Sequence, residues 1–78
     1  MPAIADVGPY RLFFYSSDGT EPPHVHVRRD RASAKFWLSP VRLAAARGFD
    51  DHEERRVFRI VESHEEQILE AWHGYFDH

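Results

Sequence analysis

The residues with the most chemical potential lie in one short segment, Pro22-Pro23-His24-Val25-His26-Val27. Two histidines two positions apart on a strand share a face, with Cβ atoms roughly 6.5–7 Å apart. An imidazole titrates near pH 6.5, so one ring can act as acid while the other acts as base. A pair straddling a phosphodiester would take the 2′-hydroxyl proton and return one to the leaving oxygen. Arg28 or Lys35 would oppose the charge that develops. His24 and His26 are therefore candidate catalytic residues. A metal site is the second reading, because His-x-His supplies two nitrogens to an ion that needs about three or four protein ligands. The missing ligands would come from His52, His64, His73 or an acid. A structural role is the third: His24 hydrogen-bonds the turn backbone and His26 packs on Trp37 or Tyr15. The motif alone does not choose among the three, and no cofactor is expected.

These side chains need elements to position them. Tyr10-Arg11-Leu12-Phe13-Phe14-Tyr15 is aromatic and predicts a strand at about 10–16. Ser16 to Thr20 is turn chemistry, with Gly19 free to take positive φ. Pro22-Pro23 forces an extended start to a strand over 24–29. A turn at Asp30 to Ser33 leads to a strand over 34–38, followed by a short fourth around 41–43 and a loop closed by Gly48. Asp51-His52-Glu53-Glu54 and Ser63-His64-Glu65-Glu66 fit the capping-box pattern, predicting helices at about 52–61 and 64–76. Ile68, Leu69, Trp72, Tyr75 and Phe76 form one apolar stripe on the second helix. Two helices with one apolar side each need a sheet to cover. The expectation is one α+β domain over residues 1–78: a three- to four-stranded antiparallel sheet, then two C-terminal helices packed on one face.

Period-two alternation assigns the faces. Leu12, Phe14, Val25, Val27, Phe36 and Leu38 belong under the helices. Arg11, Phe13, Tyr15, His24, His26, Arg28, Lys35 and Trp37 fall on the other face. Cations interleaved with aromatics are what single-stranded nucleic acid binding uses, since rings stack on bases while cations hold phosphates. Arg28, Lys35, Trp37, Tyr15, Phe13 and Arg11 are thus candidate binding residues. Exposed aromatics on an open sheet also mark protein interfaces, so a partner protein or a second copy is the competing occupant.

The bulk properties agree with one small domain. The chain has 78 residues, 42% of them hydrophobic, and no cysteine. That excludes a disulfide framework and a thiolate nucleophile. No apolar run reaches the ~18 residues of a membrane span. The first six residues lack the basic start and apolar stretch of a secretion signal, so a cytoplasmic location is expected. The net charge of −3 is unevenly spread. Residues 1–49 carry seven Arg and Lys against four acids, whereas residues 50–78 carry three Arg against nine acids. Such asymmetry can place a basic face before a polyanion.

Gly8-Pro9-Tyr10-Arg11-Leu12-Phe13-Phe14-Tyr15, Glu21-Pro22-Pro23-His24-Val25-His26-Val27, Ala34-Lys35-Phe36-Trp37-Leu38 and Pro40-Val41-Arg42-Leu43-Ala44 together resemble the small prokaryotic domain-of-unknown-function 4160 family. Leu69-Glu70-Ala71-Trp72-His73 with Tyr75-Phe76 fits it too. The resemblance implies a toxin-position component of a toxin–antitoxin-like pair, with an antitoxin-like partner of the domain-of-unknown-function 2442 family. By analogy with small toxins that cut RNA, it implies action on RNA, with His24 and His26 as the matching positions. Arg28 and Arg29 stand where an acid would be expected after the motif.

Overall fold

The computed structural model describes residues 3–77. Strands β1 (Ala3–Val7), β2 (Tyr10–Phe13), β3 (His24–Arg29), β4 (Ala32–Trp37) and β5 (Arg42–Arg47) form one antiparallel sheet in that order. A 3-10 helix, Ser16–Thr20, lies between β2 and β3. Helices α1 (Asp51–Ser63) and α2 (Glu65–Phe76) follow the sheet. The α+β architecture is the one expected, with five strands where three to four were predicted.

The added strand is β1. Its residues pair with β2 from Ala3↔Phe13 to Val7↔Tyr10, and Gly8 at φ 56° makes the tight reversal between them. The stretch is short and alanine-containing, so it carries little strand signal. In turn, β2 is shorter than its aromatic run suggests, because the chain leaves the ladder after Phe13 to enter the 3-10 turn. The last strand is longer than predicted. Ala44, Ala45 and Ala46 have weak strand preference, but they pair with β4 at Lys35↔Ala45 and Ala34↔Ala46. A bulge between Lys35 and Phe36 brings Phe36 opposite Leu43.

The helix starts differ from the sequence reading in detail. Asp50, not Asp51, caps α1, its Oδ1 accepting from the Glu53 amide at 2.8 Å. The second capping box does not form. Ser63 ends α1 and donates its hydroxyl to Ile60 O at 3.0 Å. His64 alone joins the helices.

All six predicted core residues of the sheet are buried. Val57 and Val61 of α1 and Ile68 and Trp72 of α2 cover them. Fully burying each such aliphatic or aromatic side chain is worth about 1.5–3 kcal/mol. A polar clip fixes where α1 starts. Tyr10 donates its hydroxyl to Glu53 Oε2 at 2.7 Å, and Arg29 donates from two nitrogens to the same carboxylate at 2.7 and 2.8 Å. The clip gives Arg29, the last residue of the His-x-His strand, a structural partner in α1. The six residues of β5 are all exposed, although α1 packs beside that edge.

Candidate functional site

Strand register arranges the uncovered face of the sheet in rows. Phe13, His26, Lys35 and Ala45 lie side by side across β2 to β5, and Arg11, Arg28, Ser33 and Arg47 form the next row. His24 and Trp37 begin a third at the end of β3. The face assignment from alternation therefore matches the register, but exposure does not follow from it.

His24 is fully buried, with 0% of its surface exposed. It is the first residue of β3, where several parts of the fold converge on it. Its ring centroid lies 5.1 Å from Trp72 of α2, 5.5 Å from Trp37 and 5.1 Å from His26. Phe13 is also enclosed, at 2% exposure, because His26 stacks on it at 5.4 Å and Tyr15 meets it edge-on at 5.3 Å. The expectation that both histidines stand free on an open face, ready to flank a phosphodiester, is corrected accordingly. Only His26 reaches solvent, with 19% of its side chain exposed.

An acid joins the two histidines. Asp18, in the 3-10 turn, points its Oδ2 at the pair, 2.9 Å from His26 Nε2 and 3.1 Å from His24 Nε2. The Tyr15 amide donates to the same oxygen at 2.8 Å and fixes the carboxylate. Behind the turn, the Phe76 ring lies so close to Gly19 that an added Cβ would sit 2.7 Å from it. The last turn of α2 thus backs the turn that carries Asp18. Since a carboxylate only accepts, His26 donates from Nε2. Burial acts to raise the Asp18 carboxyl, but the Tyr15 amide and then the neighbouring imidazoles outweigh it, leaving its pKa below the usual value. Burial lowers the pKa of His26, more than the Asp18 carboxylate raises it. At neutral pH the pair is a carboxylate beside a neutral imidazole.

From His26 a groove of about 440 Å³ runs across the sheet. Arg28, Arg31, Lys35 and Arg47 line it, with Phe13 and Tyr15 at the His26 end and no Asp or Glu among the described lining residues. Four of the six predicted binding residues, Phe13, Tyr15, Arg28 and Lys35, therefore lie together. Arg11 lies outside the groove and pairs with Asp6 at 3.3 Å. Trp37 is outside as well, half-buried beneath the Lys35 ammonium at 4.5 Å. Arg31 and Arg47 were not singled out from sequence. A longer β5 would have revealed Arg47, which sits opposite Ser33. Lys35 also bonds Glu21 at 2.7 Å. Among the described residues, Arg31 and Arg47 have no ion-pair partner.

Among the described residues, no other histidine joins the cluster. His52 is exposed on α1, His64 bonds Ile60 O at the helix junction, and His73 pairs with Asp77. Asp18 was read only as a turn residue, and its distance from the motif in sequence gave no reason to group it with the histidines. No helix among the described residues is long and apolar enough to cross a membrane. The family described as "Domain of unknown function (DUF4160)" matches residues 10–73, a span that includes the whole cluster and groove. The chain belongs to that family. No curated protein and no solved structure matches it.

Proposed function

We propose that this member of the DUF4160 family binds single-stranded RNA along the uncovered face of its sheet, as the toxin-position component of a two-protein prokaryotic module with an antitoxin-like partner. The groove carries the reading: Arg28, Arg31, Lys35 and Arg47 line it, and of these only Lys35 is paired with a carboxylate among the described residues, that of Glu21. Clustered cations of this kind suit a chain of phosphates. An open face suits a single strand, and the Tyr15 ring, 44% exposed at the His26 end, offers a stacking platform. His26, held by Asp18, is the imidazole that lines the groove. The buried His24 supports it from behind and touches no substrate. The toxin position is supported by the resemblance of the Pro22 to Val27 segment.

A fluorescein-labelled single-stranded RNA titrated with the purified protein at several salt concentrations tests the reading. Binding is expected to weaken with salt, and the logarithmic slope to fall by about 0.7 for each phosphate contact removed from a single strand. Arg31→Ala and Arg47→Ala are expected each to lower affinity and flatten that slope. Salt-independent binding, or affinity unchanged in both variants, would count against RNA in this groove.

A further inference from the structure

We propose that Asp18, His24 and His26 form a binding site for a divalent transition metal of the zinc type. The ligand atoms are His24 Nε2, His26 Nε2 and Asp18 Oδ2. Their positions supply the first argument. All three lie within 4.8 Å of one another, and Oδ2 is 3.1 and 2.9 Å from the two nitrogens. Bonds of roughly 2.0–2.1 Å to one ion place neighbouring ligands about 2.9 Å apart at a right angle and about 3.4 Å apart at a tetrahedral angle. The two measured separations fall in that interval.

The second argument is independent of those distances and rests on the proton of His24. Its Nδ1 lies 2.9 Å from the Pro22 carbonyl, which only accepts, so Nδ1 carries hydrogen. With Nδ1 so engaged, Nε2 is the ring nitrogen left to meet an ion. That nitrogen is buried, faces a carboxylate oxygen out of line for a hydrogen bond, and has no hydrogen-bond partner. A buried polar atom left so is destabilising. A cation between nitrogen and carboxylate removes that destabilisation and engages both atoms. A backbone carbonyl that holds the far N–H of a histidine is also the usual device for fixing a ligand's tautomer and orientation.

The third argument is access. Asp18 and His26 keep 12% and 19% of their side chains exposed, so an ion can enter from the groove side and retain open positions there. Two imidazoles and one carboxylate with open positions are a donor set for zinc or another late first-row ion, and not for magnesium or calcium, which take oxygen ligands. His26 passes its proton from Nε2 to Nδ1 as Nε2 takes the metal, so the neutral ring loses none. The inference does not depend on what fills the groove.

Protein purified without an affinity tag, stripped with chelator and titrated with Zn²⁺ and Co²⁺ tests the site. The expected result is one ion per chain, visible Co²⁺ absorption, and a change in the His24 and His26 ring nitrogen resonances. Asp18→Ala and His26→Ala, both partly exposed positions, are expected to weaken binding at least tenfold while circular dichroism stays unchanged. His24→Ala removes a fully buried ring and serves only if the variant folds. No stoichiometric binding would overturn the proposal. So would undiminished binding in folded Asp18→Ala and His26→Ala, which would assign the ion to the remaining histidines. A His24 Nε2 that carries a proton and ignores added metal would overturn it in favour of an internal ion pair.

Discussion

Glu53 takes hydrogen bonds from two strands, and that makes it a pH-sensitive residue. The bonds from Arg29, and then that from Tyr10, hold its carboxyl below the ordinary 4.5. A group whose folded pKa is depressed stabilises the fold above its unfolded value and loses that contribution as pH falls through its folded value. Melting temperature is therefore expected to drop below about pH 4.5 in the wild type. Glu53→Gln should lower the melting temperature at neutral pH and make it less dependent on pH in the acid range. An equally steep acid limb in Glu53→Gln would deny Glu53 this role. At the same scale, alternation read the placement of His24 in the sheet correctly and its burial wrongly. Parity fixes which way a strand residue points, but His24 lies at the strand's end, where Trp72 and the 3-10 turn close over it. Asp18 was invisible for a related reason: a turn residue becomes a ligand only when its turn folds back over the next strand.

Among the elements, the loop from β5 to α1 depends on one glycine. Gly48 has φ 83°, and an added Cβ would lie 3.1 Å from the Ala32 Cα. Gly48→Ala should cost about 1–3 kcal/mol from backbone strain alone, read as a lower urea midpoint. Gly74, inside α2, has open space where a Cβ would go. Gly74→Ala should stabilise by about 0.5–1 kcal/mol through helix propensity. Equal effects of the two substitutions would refute the assignment. Strands β3 and β4 were legible because Val25, Val27 and Phe36 alternate with polar residues over a covered face. The first and last strands were less so, since β1 is short and the alanines of β5 take their conformation from pairing. The Ser63 box matched a capping pattern without capping anything, because α1 runs through Ser63 and turns at His64.

Across the whole molecule, the charge asymmetry acquires a geometry. The basic first part of the chain builds the sheet, and four of its cations, Arg28, Arg31, Lys35 and Arg47, meet on the uncovered face, while the acidic last part forms the helices on the other side. The two faces should therefore respond differently to a polyanion. A second groove, between α1 and β5, mixes both signs, with Glu54, Arg55, Arg59 and Glu62 around Phe36, Leu43 and Phe58. It has no such preference. The most direct test of the account is an amide NMR titration of the isotope-labelled protein with a single-stranded RNA. The account predicts shifts at Tyr15, His26, Arg28, Arg31, Lys35 and Arg47, with the outer faces of α1 and α2 silent. Shifts centred on Leu43 and Phe58, or none at all, would contradict it.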